Sequence, residues 1–336
     1  ATATELVRDD ILQSLELQNP RILVTGFDRT NLYFGVEHPR DKDAWVFRYL
    51  KAHGEDCGII YCSTRKNVDE LYDRLRLEGI SAARYHAGLS QEERQQAQED
   101  FQYDRVQVIV ATNAFGMGID KSNVRYVLHY NMPSCLENYY QEAGRAGRDG
   151  EPSECILLFS PQDVVIQKFL LEHKEQSAAL EEVEEANLRK LYAMEHYCRT
   201  TSCLRQTLLH YFGEEAPARC NHCSTCNGDY EEVDMTEETK SIVKCIHEAR
   251  RPYGITLMAN VLAGSRSTRV EETGLSRLRM FGALHNHSLK EIREMIQNLL
   301  DQGYLLITRD KYPVLKISKK IWELQDDSIR VLLRKE

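Results

Sequence analysis

The chain has 336 residues, of which 42% are hydrophobic, a length and composition that fit a globular protein with two or three domains. No apolar run approaches the ~20 residues that a membrane-spanning helix requires, and no signal peptide opens the sequence, so we expect a cytoplasmic protein. The formal net charge is −9, but residues 235–336 contain 18 Lys and Arg against 13 Asp and Glu. Any electrostatic binding of nucleic acid is therefore expected in this C-terminal third.

Ten cysteines do not by themselves indicate a disulfide scaffold, because such scaffolds are typical of short secreted chains. Five of the ten lie singly in apolar stretches, namely Cys57, Cys62, Cys135, Cys155 and Cys245. Reduced thiols in such surroundings pack as small hydrophobic groups. The remaining cysteines cluster between residues 198 and 226 and require a separate explanation.

Short apolar runs alternate with amphipathic segments through the first half of the chain. An amphipathic helix is predicted over residues 5–17, and residues 21–36 favour strands interrupted by a turn. Further strands are predicted over residues 57–62, 81–85, 106–110, 125–130 and 155–160, and helices over residues 41–53, 66–78 and 90–101. This alternation predicts an α/β fold with a parallel sheet covered by helices on both faces, and all the loops that follow strands at one edge.

The segment from Ala111 to Gly150 most needs a functional explanation. A strand gives way there to small and polar residues, and a helical segment with Ser134 as its predicted N-cap ends in the sequence GRAGRDG. Arg145 and Arg148 are three residues apart with only Ala and Gly between them, so their guanidinium groups can approach a phosphate closely. The alternative is that both are surface charges at a helix C-terminus, with Gly150 as the C′ residue.

This segment contains AFGMGIDK followed by YYQEAGRAGRDG and resembles motifs V and VI of superfamily 2 helicases, in particular those of the RecQ family of ATP-dependent DNA helicases. The resemblance implies that Gln141, Arg145 and Arg148 face an ATP molecule and its Mg²⁺ held by another domain, with Arg148 as the arginine finger. Gly118 and Asp120 of motif V belong to the same implied nucleotide site. Asp120 would orient an arginine or a nucleotide hydroxyl, the alternative being that it caps a turn.

The first residues, ATAT, are similar to the end of motif III in RecQ-like enzymes. The resemblance therefore implies that residues 1–20 form the junction with a first RecA-like domain and that residues 21–161 form the second. The chain contains no Gly-x-x-x-x-Gly-Lys-Ser/Thr loop to hold phosphates and no Asp-Glu-x-His box to hold magnesium. We therefore expect that the chain alone does not hydrolyse ATP, and that it works with an N-terminal ATPase domain in a monomeric protein.

Polar residues at the ends of the predicted strands form a second candidate site, for DNA. They are Ser63, Thr64, Arg65, His86, Thr112 and Asn113. Hydroxyls and backbone amides at strand ends suit phosphate contacts, which position a nucleic-acid strand without reading its sequence. In the RecQ resemblance, Ser63 to Arg65 match motif IV and His86 lies in the adjoining HAGL loop, and both face single-stranded DNA. Alternatively, Arg65 is a surface residue at a helix N-terminus and His86 is a locally bonded loop residue.

The clustered cysteines have the spacing of a metal site. The CxxCxxC knuckle consists of Cys220, Cys223 and Cys226. Three such thiolates can converge on one point, and a fourth ligand would complete a tetrahedral site for structural zinc. Spacing alone leaves Cys203, Cys198 and His222 as candidates for that ligand, and it also permits an iron–sulfur cluster. The RecQ resemblance implies Cys203, which lies 17 residues before the knuckle, within a helical zinc-binding module over residues 162–232.

Three predicted helices followed by a hairpin indicate a winged helix over residues 233–324, which resembles the RQC domain of RecQ proteins. The basic residues outside its predicted core are Arg266, Arg269, Arg277, Arg279 and Lys290. Their shared charge indicates phosphate binding that weakens steeply with salt. Tyr312 at the predicted hairpin tip is a candidate wedge that stacks on a terminal base pair and separates it, although an aromatic residue at a turn more often packs. Residues 325–336 are expected to form a C-terminal tail.

The resemblance as a whole implies part of an ATP-dependent helicase that moves 3′ to 5′ along DNA during repair and recombination. Such a protein would act in the bacterial nucleoid or, in a eukaryote, in the nucleus. Two alternatives remain open. One is a non-enzymatic DNA-binding module of zinc and winged-helix domains, and the other is an RNA helicase, since RNA helicases share the RecA-like fold.

Overall fold

A six-stranded parallel sheet forms the centre of the first half of the molecule, with the strand order β1–β6–β5–β2–β4–β3. The strands are β1 (Leu32–Glu37), β2 (Cys57–Tyr61), β3 (Ala82–Tyr85), β4 (Val108–Ala111), β5 (Val124–His129) and β6 (Ser153–Leu158). All of them pair in parallel, so the loops that follow the strands lie at one edge of the sheet. The expectation of a RecA-like α/β sheet is confirmed.

The computed structural model describes residues 12, 14, 15, 20, 26–116, 120–174, 181–228, 231–308, 313–325 and 330–335. These residues divide into two units, one containing the sheet, its helices and Cys203–Asn227, the other containing Thr200–Ser202 and the chain from Gly228 onward. Most of the helix expected over residues 5–17, together with Gly118 and Tyr312, lies outside the described residues. Among the described helices, none combines the length and the hydropathy that a bilayer-spanning segment needs.

The first unit contains eight described helices, of which the first four lie between strands of the sheet and the other four follow its last strand. They are α1 (Lys42–Ala52), α2 (Arg65–Leu77), α3 (Gln91–Gln102), α4 (Leu136–Ala143), α5 (Pro161–Lys174), α6 (Glu181–Arg199), α7 (Leu204–Tyr211) and α8 (Ser224–Asn227). Asp41, Thr64 and Ser90 cap the first three helices, because each side chain accepts a hydrogen bond from a backbone amide of the first turn. The predicted N-cap of α4, Ser134, is wrong. That helix begins after Cys135, which makes no side-chain cap.

Two hydrophobic clusters cover the two faces of the sheet, as the alternation of side chains along strands requires. On one face, the strand residues include Ile59, Ile109, Val127 and Leu157, and they pack with residues of α4, α7 and α8. On the other face they include Ile60, Val110, Leu128 and Ile156, and they pack with residues of α1 and α2. The expectation that both faces are covered is therefore confirmed. The first of these two faces is covered in part by the segment that contains Cys203, Cys223 and Cys226.

The second unit is a winged helix. Its helices are α9 (Thr236–Glu248), α10 (Ile255–Leu262), α11 (Thr268–Glu272) and α12 (Leu289–Asp301), and its strands β8 (Leu305–Ile307) and β9 (Leu315–Ile317) pair antiparallel as the predicted hairpin. Ile242, Ile292 and Leu299 are completely buried in its single core. The sequence predicted every one of these elements except α11, which has only five residues and too few turns to show a helical period.

The expected C-terminal tail contains a strand. β10 (Leu332–Lys335) pairs antiparallel with β7 (Glu231–Asp234), and Val331 and Leu333 are buried in the core of the second unit. Exposed Leu332 lies between these two buried residues, which is the alternation of a half-buried strand. The pairing corrects the boundaries drawn after residues 232 and 324, because both strands belong to the winged-helix unit.

Gly58 provides a test of how tightly the sheet packs. It lies opposite Tyr126 in the pairing of β2 with β5, and a Cβ at Gly58 would lie 2.0 Å from the tyrosine ring. Because Tyr126 is buried and has no room to move, we expect Gly58→Ala to lower the free energy of unfolding by about 3 kcal/mol. Urea unfolding measures this loss. The control is Gly54→Ala, where the added Cβ meets only ordinary contacts at 3.9 Å, and equal effects of the two changes would contradict the packing described.

Candidate functional site

Arg145 and Arg148 lie in residues 144–150, here called the arginine loop, which follows α4 and leads toward β6. Because α4 ends at Ala143, the two arginines lie in consecutive turns rather than on a helical face. Gly147 between them has a positive φ of 55°, and a Cβ there would lie 2.4 Å from Nδ2 of Asn31. Both the backbone conformation and the close packing therefore require glycine at this position.

Arg148 is held at the surface by a carboxylate. Its Nη1 lies 3.0 Å from Oδ1 of Asp120, whose side chain is 93% exposed. An exposed ion pair of this kind contributes about 0 to 1 kcal/mol to stability, so its main effect is to orient the guanidinium group. The ion pair agrees with the expectation that Asp120 orients an arginine. Gln141 lies in the last turn of α4, and its side chain is exposed.

Arg145 lies deeper than Arg148. Its Nε is buried without a hydrogen-bond partner among the described atoms, and a Cβ at Gly116 would lie 2.7 Å from its Nη2. The guanidinium group also reaches Tyr61: burial raises the pKa of the Tyr61 hydroxyl, and Arg145 acts in the opposite direction. The hydroxyl donates to the backbone oxygen of Phe115 at 2.8 Å. Sequence reasoning missed Tyr61, because a tyrosine at the end of a buried strand is not distinguished from a core residue.

Ser63, Thr64 and Arg65 lie where β2 meets α2, at the carboxyl edge of the sheet. The Thr64 hydroxyl accepts a hydrogen bond from the amide of Asn67 at 3.1 Å, and the Ser63 hydroxyl accepts one from Nε2 of Gln167 at 3.1 Å. Arg65 is exposed and makes no ion pair with a described residue. Of these three side chains, Arg65 is therefore the one most open to a ligand, since both hydroxyls already have partners inside the protein.

A buried polar network supports this turn between β2 and α2. Oδ1 of Asn131 accepts hydrogen bonds from the backbone amide of Ser63 at 3.2 Å and from Nδ2 of Asn67 at 3.0 Å. Asn131 in turn donates to Asp163 at 3.0 Å, and Asp163 forms an ion pair with Lys42 at 2.8 Å. Asp163 is only 3% exposed, so its charge is compensated within the network. The sequence did not predict the network, because its members come from four separate segments.

His86 is buried, with 5% of its surface exposed. Its Nδ1 accepts a hydrogen bond from the amide of Gly88 at 3.1 Å, which leaves Nε2 as the protonated nitrogen, and Nε2 lies 3.1 Å from Oδ1 of Asp69. Both ring nitrogens are engaged within the protein, as the alternative of a locally bonded loop residue predicts. A Cβ at Gly88 would lie 3.3 Å from Cδ of Arg65, so the loop that His86 orders lies directly beside Arg65.

Thr112 and Asn113 follow β4 at the same edge. Thr112 is buried, and its amide donates to the backbone oxygen of Tyr85 at 3.1 Å. Asn113 is exposed. Of the six residues predicted to contact DNA from this unit, Arg65 and Asn113 are therefore the two that present exposed side chains.

Four cysteine sulfurs, those of Cys203, Cys220, Cys223 and Cys226, all lie within 4.8 Å of one another. A tetrahedral zinc ion with Zn–S bonds of ~2.3 Å needs sulfurs about 3.8 Å apart. The Sγ atoms of Cys203 and Cys223 are 3.9 Å apart, which fits one such ion. An iron–sulfur cluster fits less well, because several iron atoms would hold the thiolates farther apart. The donor set and its spacing fit structural zinc.

Cys203 is the fourth member of the cluster, as the resemblance implied. Cys198 is buried in the core and does not belong to the group, and the ring of His222 packs edge-on against Tyr33 at 5.5 Å. The amide of His222 donates to the sulfur of Cys220 at 3.3 Å. A hydrogen bond from the Cys203 thiol lowers the pKa of Cys223, which favours its thiolate form. The thiolate is the form that binds metal, so Cys223 is prepared for a cation.

The five basic residues of the second unit that were predicted to bind phosphate are exposed. Arg266, Arg269, Arg277 and Arg279 make no ion pair with a described residue, whereas Lys290 lies 3.6 Å from Glu294 on the same helix. Arg250 and Arg251 at the end of α9 are exposed as well, and they were not predicted. Unpaired arginines on one domain form a positive surface that attracts phosphates.

Three family models match the chain in order along the sequence. The helicase conserved C-terminal domain matches residues 41–150, the RecQ zinc-binding domain residues 161–227 and the RQC domain residues 229–336. The fold and the sites described above thus define the second RecA-like domain of a helicase, followed by its zinc-binding and winged-helix modules.

Curated relatives identify the family. The chain is 43% identical over 320 residues to the ATP-dependent DNA helicase RecQ of Bacillus subtilis and 35% identical over 306 residues to that of Pasteurella multocida. A mimivirus relative with a provisional name as an ATP-dependent RNA helicase is 32% identical over 336 residues. These alignments cover 95%, 91% and 95% of this chain, but only 54%, 48% and 60% of the relatives. The chain belongs to the RecQ family and spans about half the length of the curated relatives it matches.

Replacing Cys203 with Ser tests the metal site. We expect loss of bound zinc and a large drop in the thermal unfolding temperature of the first unit, because structural zinc contributes ~10 to 16 kcal/mol in small peptides. Elemental analysis and calorimetry measure the two effects. The matched control is Cys198→Ser, a buried cysteine outside the cluster, which should retain one zinc ion per chain. Retention of zinc in Cys203→Ser together with its loss in Cys198→Ser would show that the ligand is misassigned.

Proposed function

We propose that this chain is the second motor domain and the DNA-binding part of an ATP-dependent DNA helicase that moves 3′ to 5′ during repair and recombination. The observation that carries the proposal is the arginine loop, in which Arg148 is oriented by Asp120 and Arg145 has a buried nitrogen without an acceptor among the described residues. A buried unpaired donor is costly, so its presence at a loop of this composition favours a ligand with acceptor oxygens. The RecQ family of the chain supports the same reading.

In this mechanism, a separate N-terminal RecA-like domain would hold ATP and Mg²⁺. ATP would supply the phosphoryl group that passes to water, with ADP as the leaving group, and Mg²⁺ would neutralise charge on the phosphate oxygens. Arg148 approaches the terminal phosphate when the two domains close, and Asp120 keeps its guanidinium group extended until then. Arg145 offers its buried Nε and terminal nitrogens to the same phosphates, and Gln141 lies on the adjoining turn of α4. Because these groups belong to the domain that also contacts DNA, closure of the domains links ATP hydrolysis to movement along the strand.

At the carboxyl edge of the sheet, Arg65 and Asn113 contact the phosphates of single-stranded DNA, and Ser63, Thr64, His86 and Thr112 hold the loops that present them. The winged helix adds phosphate contacts through Arg266, Arg269, Arg277, Arg279 and Lys290. Zinc is structural, since four cysteine thiolates fill its coordination positions and leave none for a substrate. We propose that the enzyme acts as a monomer, in the bacterial nucleoid or the eukaryotic nucleus.

Arg148→Ala tests the arginine finger. In the enzyme that joins this chain to its ATPase domain, we expect the kcat of ATP hydrolysis to fall about 10³-fold or more, with the affinity for single-stranded DNA unchanged. The control is Arg105→Ala, because the Arg105 guanidinium group pairs with Asp100 of α3 and packs on the Tyr103 ring, and it makes no contact with the arginine loop among the described residues. Hydrolysis at the wild-type rate in Arg148→Ala would exclude the role proposed for this residue.

The winged-helix arginines predict a specific salt dependence. If Arg266 and Arg269 each neutralise one DNA phosphate, replacing both with Ala should reduce the slope of log K against log salt concentration by about two. Fluorescence anisotropy with a tailed duplex at several salt concentrations measures the slope, and Arg105→Ala should leave it unchanged. A weaker but equally salt-dependent complex would mean that the two arginines act on the fold and not on phosphates.

Two alternatives are separated by the same assays. A non-enzymatic DNA-binding module would bind the tailed duplex as described but show no unwinding that depends on Arg148. RNA unwinding is raised by the name of the mimivirus relative, and it is tested by competing a DNA duplex with an RNA duplex of the same sequence. The RecQ zinc-binding and RQC domains favour DNA, so we expect the RNA duplex to compete at least about tenfold less well.

A further inference from the structure

The backbone of the arginine loop is fixed by two side chains from the segment before β1. Nη2 of Arg29 donates to the backbone oxygens of Ala146 at 3.2 Å and Gly147 at 2.8 Å. Nδ2 of Asn31 donates to the same Gly147 oxygen at 2.9 Å. The donors and acceptors are more than a hundred residues apart in the sequence. The accepting carbonyls, those of Ala146 and Gly147, lie between the two loop arginines. Arg29 and Asn31 therefore set the position of that backbone.

The segment that carries Arg29 is itself held by an arginine of α7. Arg205 donates to the carboxylate of Asp28, to the backbone oxygen of Arg29 at 2.8 Å and to the backbone oxygen of Leu32. Arg205 is only 6% exposed, and its guanidinium group lies 5.4 Å from the centre of the Phe34 ring. Such buried, charge-assisted bonds fix geometry strongly, since breaking one leaves a charge without a partner.

The start of α7 is joined to the cysteine cluster. Cys203 is the residue immediately before α7, and the amide of Leu204 donates to Oγ1 of Thr225 in the knuckle at 3.3 Å. At the far end of the helix, Phe212 stacks on Phe27 with ring centres 4.5 Å apart. The segment of residues 27–32 is therefore clamped between the cysteine cluster and the arginine loop.

We propose that Arg205 and Arg29 are positioning residues that transmit the placement of the zinc-binding module to the arginine loop. The inference rests on the proposed function, because it assigns these residues an effect on ATP hydrolysis. Loss of the relay shifts the loop backbone, so that Arg145 and Arg148 no longer meet the phosphates together. ATP and DNA affinities, which depend on other contacts, stay as they are. The zinc module thereby acts on the rate of hydrolysis, beyond holding its own fold together.

The experiment compares Arg29→Ala, Arg29→Lys and Arg205→Gln with the control Arg105→Ala. Hydrogen exchange is read at the amide of Gly147, which donates to the backbone oxygen of Val124 at 2.9 Å. Zinc content, kcat and the KM for ATP are measured on the enzyme that includes the ATPase domain. In Arg29→Ala and Arg205→Gln we expect exchange at Gly147 to rise about tenfold and kcat to fall about 10²-fold, with zinc content and KM unchanged. Arg29→Lys retains a hydrogen-bond donor, so its exchange rate at Gly147 and its kcat should lie between those of Arg29→Ala and the wild type.

Combining Arg29→Ala with Arg205→Gln should lower kcat no further than either change alone, because both break the same relay. Multiplied effects in the double variant, or a normal kcat in Arg29→Ala while Arg148→Ala is inactive, would overturn the relay. If Arg148→Ala is itself fully active, the proposed function fails instead. The exchange rate at Gly147 then tests only whether Arg205 fixes the backbone of the arginine loop. Faster exchange in Arg205→Gln with zinc still bound supports that contact path, and unchanged exchange refutes it.

Discussion

The constraint on which the first unit depends is the convergence of four thiols within 4.8 Å. A bound zinc ion displaces the thiol protons and compensates the thiolate charges, so metal binding stabilises the cysteine knuckle as folded. The knuckle then lies against the free edge of β1, where Phe34 bridges to Cys223 and the amide of Val36 donates to Ser224 at 3.1 Å. An unpaired strand edge invites pairing with other chains, and here the metal-binding module covers it. The sheet and the cysteine cluster thus stabilise each other.

Local patterns predicted those parts of the structure that depend on local periodicity. The strands of the parallel sheet and the hairpin of the winged helix follow from the sequence around them. The caps Asp41, Thr64 and Ser90 were not predicted, and the predicted N-cap Ser134 is wrong. The cysteine spacing predicted three ligands, and the family resemblance supplied the fourth, Cys203. Contacts between distant segments could not be predicted in this way, because nothing near Asn131 or Tyr61 in the sequence indicates Asp163 or Arg145.

Arginines with and without a carboxylate partner occur in this chain, and for this reason the net charge does not indicate where phosphates can bind. In the first unit Arg84, Arg125 and Arg205 are bound to carboxylates, and the bond from Arg125 holds the pKa of Asp149 below its usual value. These arginines maintain the fold, and their charge is already compensated. The four predicted arginines of the winged helix have no such partner among the described residues. In the winged helix, the arginines that can attract phosphates are therefore those without a carboxylate partner among the described residues, and the sequence does not show this.

The pairing of β7 with β10 joins the first and last strands of the winged-helix unit side by side. A short linker from residue 335 to residue 231 would therefore close the unit into a ring without disturbing its core, and new ends could be opened in an exposed loop elsewhere. A domain with adjacent ends also behaves as a cassette, since it can be inserted into the loop of another protein without stretching its host. The pairing of these two strands, together with the burial of Val331 and Leu333 in the core, makes the unit structurally self-contained.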